Sequence, residues 1–413
     1  MSQPCRGVCG LGGYDQAMSF ASGSLSFRRF KVEGAVPGVV DQELLDRISE
    51  HALRPADVGH PPEIEYGFSG GRHVLDDQFS FDKNVFADCI CFALRVDTNR
   101  VPAELKRAIE TMEEEAVAAG NPSGFISKRQ KKDVKETIRA KLDEELRSGK
   151  FRRSKLTPIL WDLPARIIYS PASGGAQDKL LEIFDRTLNC TLTPLTAGSL
   201  AQSILQSNGR RRDYEDARPT RFVTGPDGEG QHPEYPWTAK GPQPKDFFGN
   251  EFAMWLWHES ESRDGTLTTE AAGEVSIFID KSLDLDCAYG QTGRDLFRAT
   301  GPGRMPEARE GLRSGKVPRR LGMVMDAFKQ QYSLAFNAET FGFSSVRLPE
   351  VEEAETPRVL FEERIGLLRD LCRAADAMYE AFLKVRCSSA WEGQVAGIRR
   401  WTLKSPKPVA AVA

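Results

Sequence analysis

The chain of 413 residues contains no run of 18 apolar residues, so no membrane-spanning helix is expected. Its start lacks a basic region followed by an apolar one, so no secretory signal is expected either. Only five histidines occur, scattered, which argues against a multi-His metal site. The eight cysteines, at positions 5, 9, 89, 91, 190, 287, 372 and 387, are dispersed rather than spaced as a disulfide framework. They read as reduced thiols of a cytosolic protein, and Cys5 and Cys9 have no nearby His to complete a metal site. No zinc finger, RNA-binding aromatic motif or groove-reading helix is visible. One sign of charge is also nearly cancelled, the formal net being −3.

What is present is a concentration of the opposite sign. Residues 126–155, ISKRQKKDVKETIRAKLDEELRSGKFRRSK, hold twelve Lys/Arg against five acids, a net of +7, so the rest of the chain sums to −10. Such an electrostatic address commonly belongs to a polyphosphate backbone. A solvated helix face, or a dock for an acidic protein, are the other readings. Phe151, among Lys150, Arg152, Arg153 and Lys155, reads as a core residue at the base of this element, a base-stacking group or a protein contact. Further basic clusters stand at 311–320 (GLRSGKVPRR, with Arg313, Lys316, Arg319 and Arg320) and at Arg210, Arg211 and Arg212. With no base-reading motif, contacts would go to phosphates and be sequence-independent.

The fold expected is α+β, with mixed or antiparallel sheets, a projecting helical hairpin and a C-terminal helical extension. SLSFRRFKV (24–32) begins with Leu25 and Phe27 on one face and continues with Phe30 and Val32 on the other, which a bulge at Arg28–Arg29 would reconcile. Asp41 caps a short helix over 41–53. VFADCICFALRV (85–96) is apolar on both faces and reads as one buried central strand, with Cys89 and Cys91 as small core residues. A helix opened by Pro102 and closed by Gly120 precedes a second, about 128–147, capped by Ser127. In the latter Val134, Ile138, Leu142 and Leu146 form one narrow stripe, enough for a single antiparallel partner. Two strands, a helix at 176–189 and a strand at 190–195 follow. Residues 205–246 read as a loop or linker insertion. Beyond it come the apolar helix FFGNEFAMWLWHESE, strands at 274–280 and 283–289, and a helix and three strands over 306–346. The domains expected are 23–204 with a finger at about 102–155, 247–350, and an extension at 351–403 whose helix spans 358–387. The tails expected are 1–22, where Met18 offers an alternative start, and 404–413.

Candidate enzymatic signals are weaker. Gly67-Phe68-Ser69-Gly70-Gly71 fits G-x-S-x-G, but no amphipathic helix follows it. Gly10-Leu11-Gly12-Gly13 lacks both the preceding strand and the Lys-Ser/Thr ending of a phosphate loop. Asp280, Asp284 and Asp286 could hold a divalent metal for an exonuclease, or be the exposed acids of a β-turn.

In order along the chain, SLSFRRFKV, CICFALRVDTNRVPAELKRAIE with SKRQKKDVKETIRAKL, RSGKFRRSKLTPILWDLPARIIYSPAS with NCTLTPL, and GLRSGKVPRRLGMVMDAFKQQYSLAFNAE resemble the RdgC family of recombination-associated DNA-binding proteins. The resemblance covers about half the chain, mainly 24–200 and 306–346. It implies a ring-shaped homodimer that encircles duplex DNA without sequence preference, also binds single strands, and restrains loading of the RecA recombinase by competing for DNA. It implies a non-enzymatic protein of the cytoplasm and nucleoid with no cofactor. Phe151 falls where the family has a phenylalanine at the finger-tip dimer contact. Lys316 and Arg320 match the family's basic pair at a strand entry and would face DNA. The DNA-binding residues expected are therefore Lys128, Arg129, Lys131, Lys132, Lys135, Lys150, Arg152, Arg153, Lys155, Arg313, Lys316, Arg319 and Arg320. The insertion at 205–262 and the region after about 350 exceed the shorter family members. The terminal helix would add subunit contacts or cover the sheet.

Overall fold

The computed structural model describes residues 20–405 apart from 55–61, 123, 224–227, 229–230, 240, 242–243, 263–264 and 352–353. Cys5, Cys9, the Gly10–Gly13 loop and most of both tails lie outside the described residues. Phe20 does not belong to a tail: it is 2% exposed, and its carbonyl accepts from Arg364 Nε at 3.1 Å.

The first strand, β1 (Leu25–Gly34), explains its own change of parity. Leu25 and Phe27 pack into one core, Phe30 and Val32 into another on the opposite face. The pairing from Arg28 to Lys31 runs without a register shift, so the expected bulge at Arg28–Arg29 is absent. A strand that passes between two cores needs apolar residues on alternate faces in succession. Helix α1 (Gln42–Glu50) is capped by Asp41, whose carboxylate accepts from Leu44 N at 2.8 Å, and it buries Leu44, Leu45 and Ile48. Strand β2 (Ile64–Ser69) and the turn helix α2 (Phe81–Asn84) follow.

The stretch expected as one strand at 85–96 is two, β3 (Val85–Phe86) and β4 (Cys89–Asn99), paired through a turn at which Ala87 takes φ 46°. Turn signals of the Asn-Gly type are missing there, so periodicity alone reads through it. Cys89 and Cys91 are buried, free thiols, pushed up to about 12 by burial. The hairpin helices α3 (Ala103–Ala119) and α4 (Lys128–Arg147) lead to β5 (Arg152–Asp162), which pairs with β4 along its whole length. Then come β6 (Ile167–Ser170), α5 (Gly175–Leu188) and β7 (Cys190–Pro194), giving the expected β-α-α-β-β-α-β order.

Helices α6 (Ala197–Ser207) and α7 (Arg211–Asp216) occupy the start of the expected linker. Tyr214, Phe222 and Tyr235 are buried in the main core, so the described part of 205–246 is packed structure rather than a spacer. Helix α8 (Phe247–Ser262) is buried nearly all round, as a helix without a polar face must be. A Cβ at Gly249 would collide with the Ala338 carbonyl, which is how closely α8 seats on its neighbours. Strand β8 (Thr266–Thr269) pairs with β9 (Gly273–Cys287). The latter is one long strand where two were expected. Asp280, Lys281 and Ser282 together oppose Gly322 alone, a bulge with Lys281 at φ 64°.

After β10 (Asp295–Ala299), helix α9 (Pro306–Arg313) and strands β11 (Lys316–Ala327), β12 (Gln330–Asn337) and β13 (Gly342–Arg347) complete the sheet. Among the described residues thirteen strands join in one sheet, its main path β10-β9-β11-β12-β13-β1-β6-β5-β4-β2, and all its ladders are antiparallel. The expected boundary between 204 and 247 therefore does not interrupt the sheet. Helix α10 (Pro357–Arg386) covers this sheet, and α11 (Ala390–Leu403), unforeseen as a separate helix, packs beside α8 and α9. Among the described residues no helix is long and apolar enough to cross a membrane.

Candidate nucleic-acid interface

The finger is the α3–α4 hairpin, inserted between β4 and β5. Its core is a single layer, Val134, Ile138 and Leu142 of α4 against Val101, Ile109, Val117, Ile126 and Phe151. Leu146, the fourth member of the expected stripe, is half-buried. Ser127 and Gln130 close a capping box, with Gln130 N donating to Ser127 Oγ at 3.3 Å and Ser127 N to Gln130 Oε1 at 3.0 Å. Gln130 and Asn121 exchange side-chain amide bonds across the turn.

At the root, Asn99 Nδ2 donates to the Leu146 carbonyl at 2.8 Å. Asp97, 2% exposed, accepts from Arg95 and from Arg152, and Arg152 also reaches Glu65 at 2.8 Å. Burial raises the Asp97 pKa, but hydrogen bonds from Arg95, Ser154 and Arg152 hold it below the usual carboxylate range. Arg152 is thus part of the joint between finger and sheet, not a cation free for DNA.

Several other expected cations are engaged within the finger. Lys131 meets Glu114 at 3.2 Å, and Lys141 meets Glu113 of α3 at 3.1 Å rather than Glu145 of its own helix. Lys132 stands 3.8 Å from Glu136, and Lys150 is 2.6 Å from Glu145. The acidic α3 alongside reduces the finger's charge: residues 102–155 hold fourteen Lys/Arg and ten acids, a net of +4. Lys128, Arg129, Lys135, Arg153 and Lys155 are exposed and form no ion pair among the described residues. Lys128 and Lys135, seven apart, share one face of α4 with Lys132 and Arg139.

The second cluster departs from expectation. Lys316 is 9% exposed and pairs with Asp295 at 2.7 Å. Arg319 bridges Asp286 and Glu339, and Arg320 donates to Ser344 Oγ at 3.1 Å. Arg313 donates to the carbonyls of Thr402 and Leu403 at the end of α11. A sequence shows four cations here but not the carboxylates and carbonyls that the sheet folds against them. Arg210 and Arg211 are likewise paired, with Asp213 and Glu215.

Phe151 sits at the root of the finger, half-buried in its core, not at a tip contact. The tip carries Phe125 instead, 80% exposed, and α3 presents Leu105 and Met112 outward at 39% and 68% exposed. Spacing could have revealed this second apolar stripe, because Leu105 and Met112 lie seven apart.

The remaining candidates are structural in their contacts. Asp284 is held by Arg294 and Arg298 at 2.8 and 2.6 Å, Asp286 by Arg319, and Asp280 accepts from Gly301 N. Among the described residues no three His, Cys, Asp or Glu side chains gather as a metal site. Ser69 is buried and donates to the Asp76 carbonyl at 2.9 Å, with no helix after it. No protein-family model matches the chain, and no curated protein matches it at a significant level.

Proposed function

We propose that this is a non-enzymatic, sequence-independent DNA-binding protein of recombination or replication, acting as a ring-shaped homodimer around duplex DNA and limiting the loading of a RecA-type recombinase. The observation that carries the reading is the projecting hairpin with unpaired cations from tip to root, Lys128, Arg129, Lys135, Arg153 and Lys155. Lys131, Lys132 and Lys150 hold weak, exposed ion pairs that a phosphate can displace. Arg313, Lys316, Arg319, Arg320 and Arg152 are withdrawn from the contact set because their partners are internal. The subunit contact is reassigned from Phe151 to the exposed Phe125 at the tip. Single strands bind through the same cations, and the recombinase is opposed by competition for DNA.

Fluorescence anisotropy with random duplex DNA, repeated across salt, tests the reading. Five phosphate contacts give a slope of log affinity on log salt of about −4.5 per protomer, a loss of about 500-fold between 50 and 200 mM. Replacing Lys128, Arg129 and Lys135 with Glu weakens every duplex sequence alike. Affinity that is absent at low salt, or flat with salt, sinks the idea.

A further inference from the structure

Helix α11, the end of α8 and one flank of β9 and β11 enclose a cleft of about 960 Å³. That is a size small-molecule sites take, roughly 300–1,000 Å³. Four cations line it, Arg304, Arg309, Arg400 and Lys404, against the carboxylates of Glu261 and Asp326. Glu261 is already engaged by Arg309 and by Trp257 Nε1, the latter at 2.8 Å, and Asp326 accepts from Gln331. Arg304, Arg400 and Lys404 form no ion pair among the described residues.

The wall behind them is short of acceptors. Arg309 is 2% exposed, with its guanidinium 3.5 Å from the Trp401 ring centroid and 5.3 Å from that of Trp257. Its Nε and Nη1, and the indole Nε1 of Trp401, are buried donors without a hydrogen-bond partner among the described residues. They lie behind the cleft surface, where the Arg309 charge, met by Glu261 alone among the described carboxylates, adds to the positive character of the wall. At the rim, Phe278 is 38% exposed for so large an apolar ring, and Arg304 lies 5.4 Å from its centroid. An aromatic ring and a guanidinium plane are what a nucleobase stacks on.

We infer that this cleft binds a phosphorylated nucleoside, free or as the 5′-phosphorylated end of a single strand, with Arg304, Arg400 and Lys404 on the phosphate and Phe278 under the base. A bare phosphate would leave most of the volume and the aromatic rim unused. The free-nucleotide source stands apart from the finger reading, and only the strand-end source rests on it.

Titration with adenosine monophosphate, read by Trp401 fluorescence and calorimetry, is the primary experiment, because a mononucleotide has no backbone for the finger to track. Binding is expected about tenfold tighter than that of inorganic phosphate, and Arg400→Glu with Lys404→Glu weakens it at least tenfold, about 1.4 kcal/mol. Both side chains are exposed, so the fold is kept. Phe278→Ala brings the nucleotide down to the affinity of inorganic phosphate while leaving phosphate itself unchanged. For the source, an oligothymidine with or without a 5′-phosphate competes against the nucleotide, in a protein whose Lys128, Arg129 and Lys135 are Glu. Competition by the phosphorylated strand alone assigns the strand end, and no competition by either assigns the free nucleotide. No signal at millimolar nucleotide, or wild-type affinity in the Arg400/Lys404 double variant, overturns the inference. A failed finger with an intact nucleotide titration leaves it standing.

Discussion

Asp97 shows how much of the interface depends on one buried carboxylate. It ties Arg95 of its own strand to Arg152 at the head of β5, so it anchors the finger to the sheet. Burial alone would raise its pKa, and the three hydrogen-bonding partners lower it further than burial raises it. A carboxylate whose folded pKa lies below its unfolded value of 3.8 stabilises fully above that value. The contribution is lost as pH falls from there through the lower folded value. Urea unfolding at pH 6 and at pH 3 measures this: Asp97→Asn should lose less stability on acidification than the wild type. Equal pH dependence in the two proteins would show that Asp97 contributes nothing to the joint. The sequence displays Arg95, Asp97 and Arg152 but not that antiparallel pairing of Asn99 with Arg152 brings them together. Arg29 was hidden for the same reason. It reads as one of two basic residues in a strand, yet it is 4% exposed and bonded to Asp376, 347 residues away, at 2.6 and 2.7 Å.

At the scale of elements, legibility follows how local each signal is. The finger helices were readable nearly to the residue, because Pro102, Gly120, Ser127 and the four-residue spacing of Val134, Ile138 and Leu142 are all local signals. The stretch 85–96 reads as one strand because the Ala87 turn has no glycine at its left-handed position, and 274–289 reads as two because the polar bulge at Asp280–Ser282 breaks the apolar alternation. The site was legible only as a sum of charge, since its neutralisation by α3 requires knowing that the helices lie side by side. The finger leaves apolar side chains open to solvent: α3 buries no residue, and Leu105, Met112 and the tip Phe125 are exposed. Two fingers meeting at their tips would cover Phe125. Phe125→Ala is therefore expected to shift the protein from dimer toward monomer in sedimentation velocity, with its circular dichroism and unfolding midpoint unchanged. Phe151→Ala, by contrast, should lower the stability of the finger itself, because that ring belongs to the hairpin's own core. A dimer indifferent to Phe125 would place the contact elsewhere, and a monomeric wild type would overturn the ring-shaped homodimer.

For the whole molecule, the C-terminal region reads in the sequence as an extension, whereas its contacts make it part of the main core. Spacing picks out a stripe of Leu360, Phe361, Ile365, Leu368, Cys372, Met378, Tyr379 and Phe382; all but the half-buried Leu360 are buried, and Leu371 and Leu383 join them. The core it completes also contains Phe20, Leu25, Phe86 and Leu160 from the opposite end of the chain. Arg369 reaches the buried Asp162 of β5 at 2.6 Å, and Tyr379 donates to the Ala197 carbonyl at 2.8 Å. Periodicity identifies a buried face but not the surface that buries it, which is why an appendage and a keystone look alike in sequence. Magnitudes separate the two. Eight large side chains of α10 (Phe361, Ile365, Leu368, Leu371, Met378, Tyr379, Phe382 and Leu383) are buried, at about 1.5 kcal/mol or more apiece. Their sum, about 12 kcal/mol before the entropy of ordering the helix is subtracted, is apolar burial that the truncated chain loses from a core it shares with the sheet. Truncation after Pro349 should therefore yield a chain that does not unfold cooperatively and exposes its sheet to dye binding and aggregation. The intact protein should melt in one main transition that includes β1, because that strand is shared by both cores. A truncated protein that remains folded, with a sharp transition near that of the full chain, would return α10 and α11 to the status of an appendage.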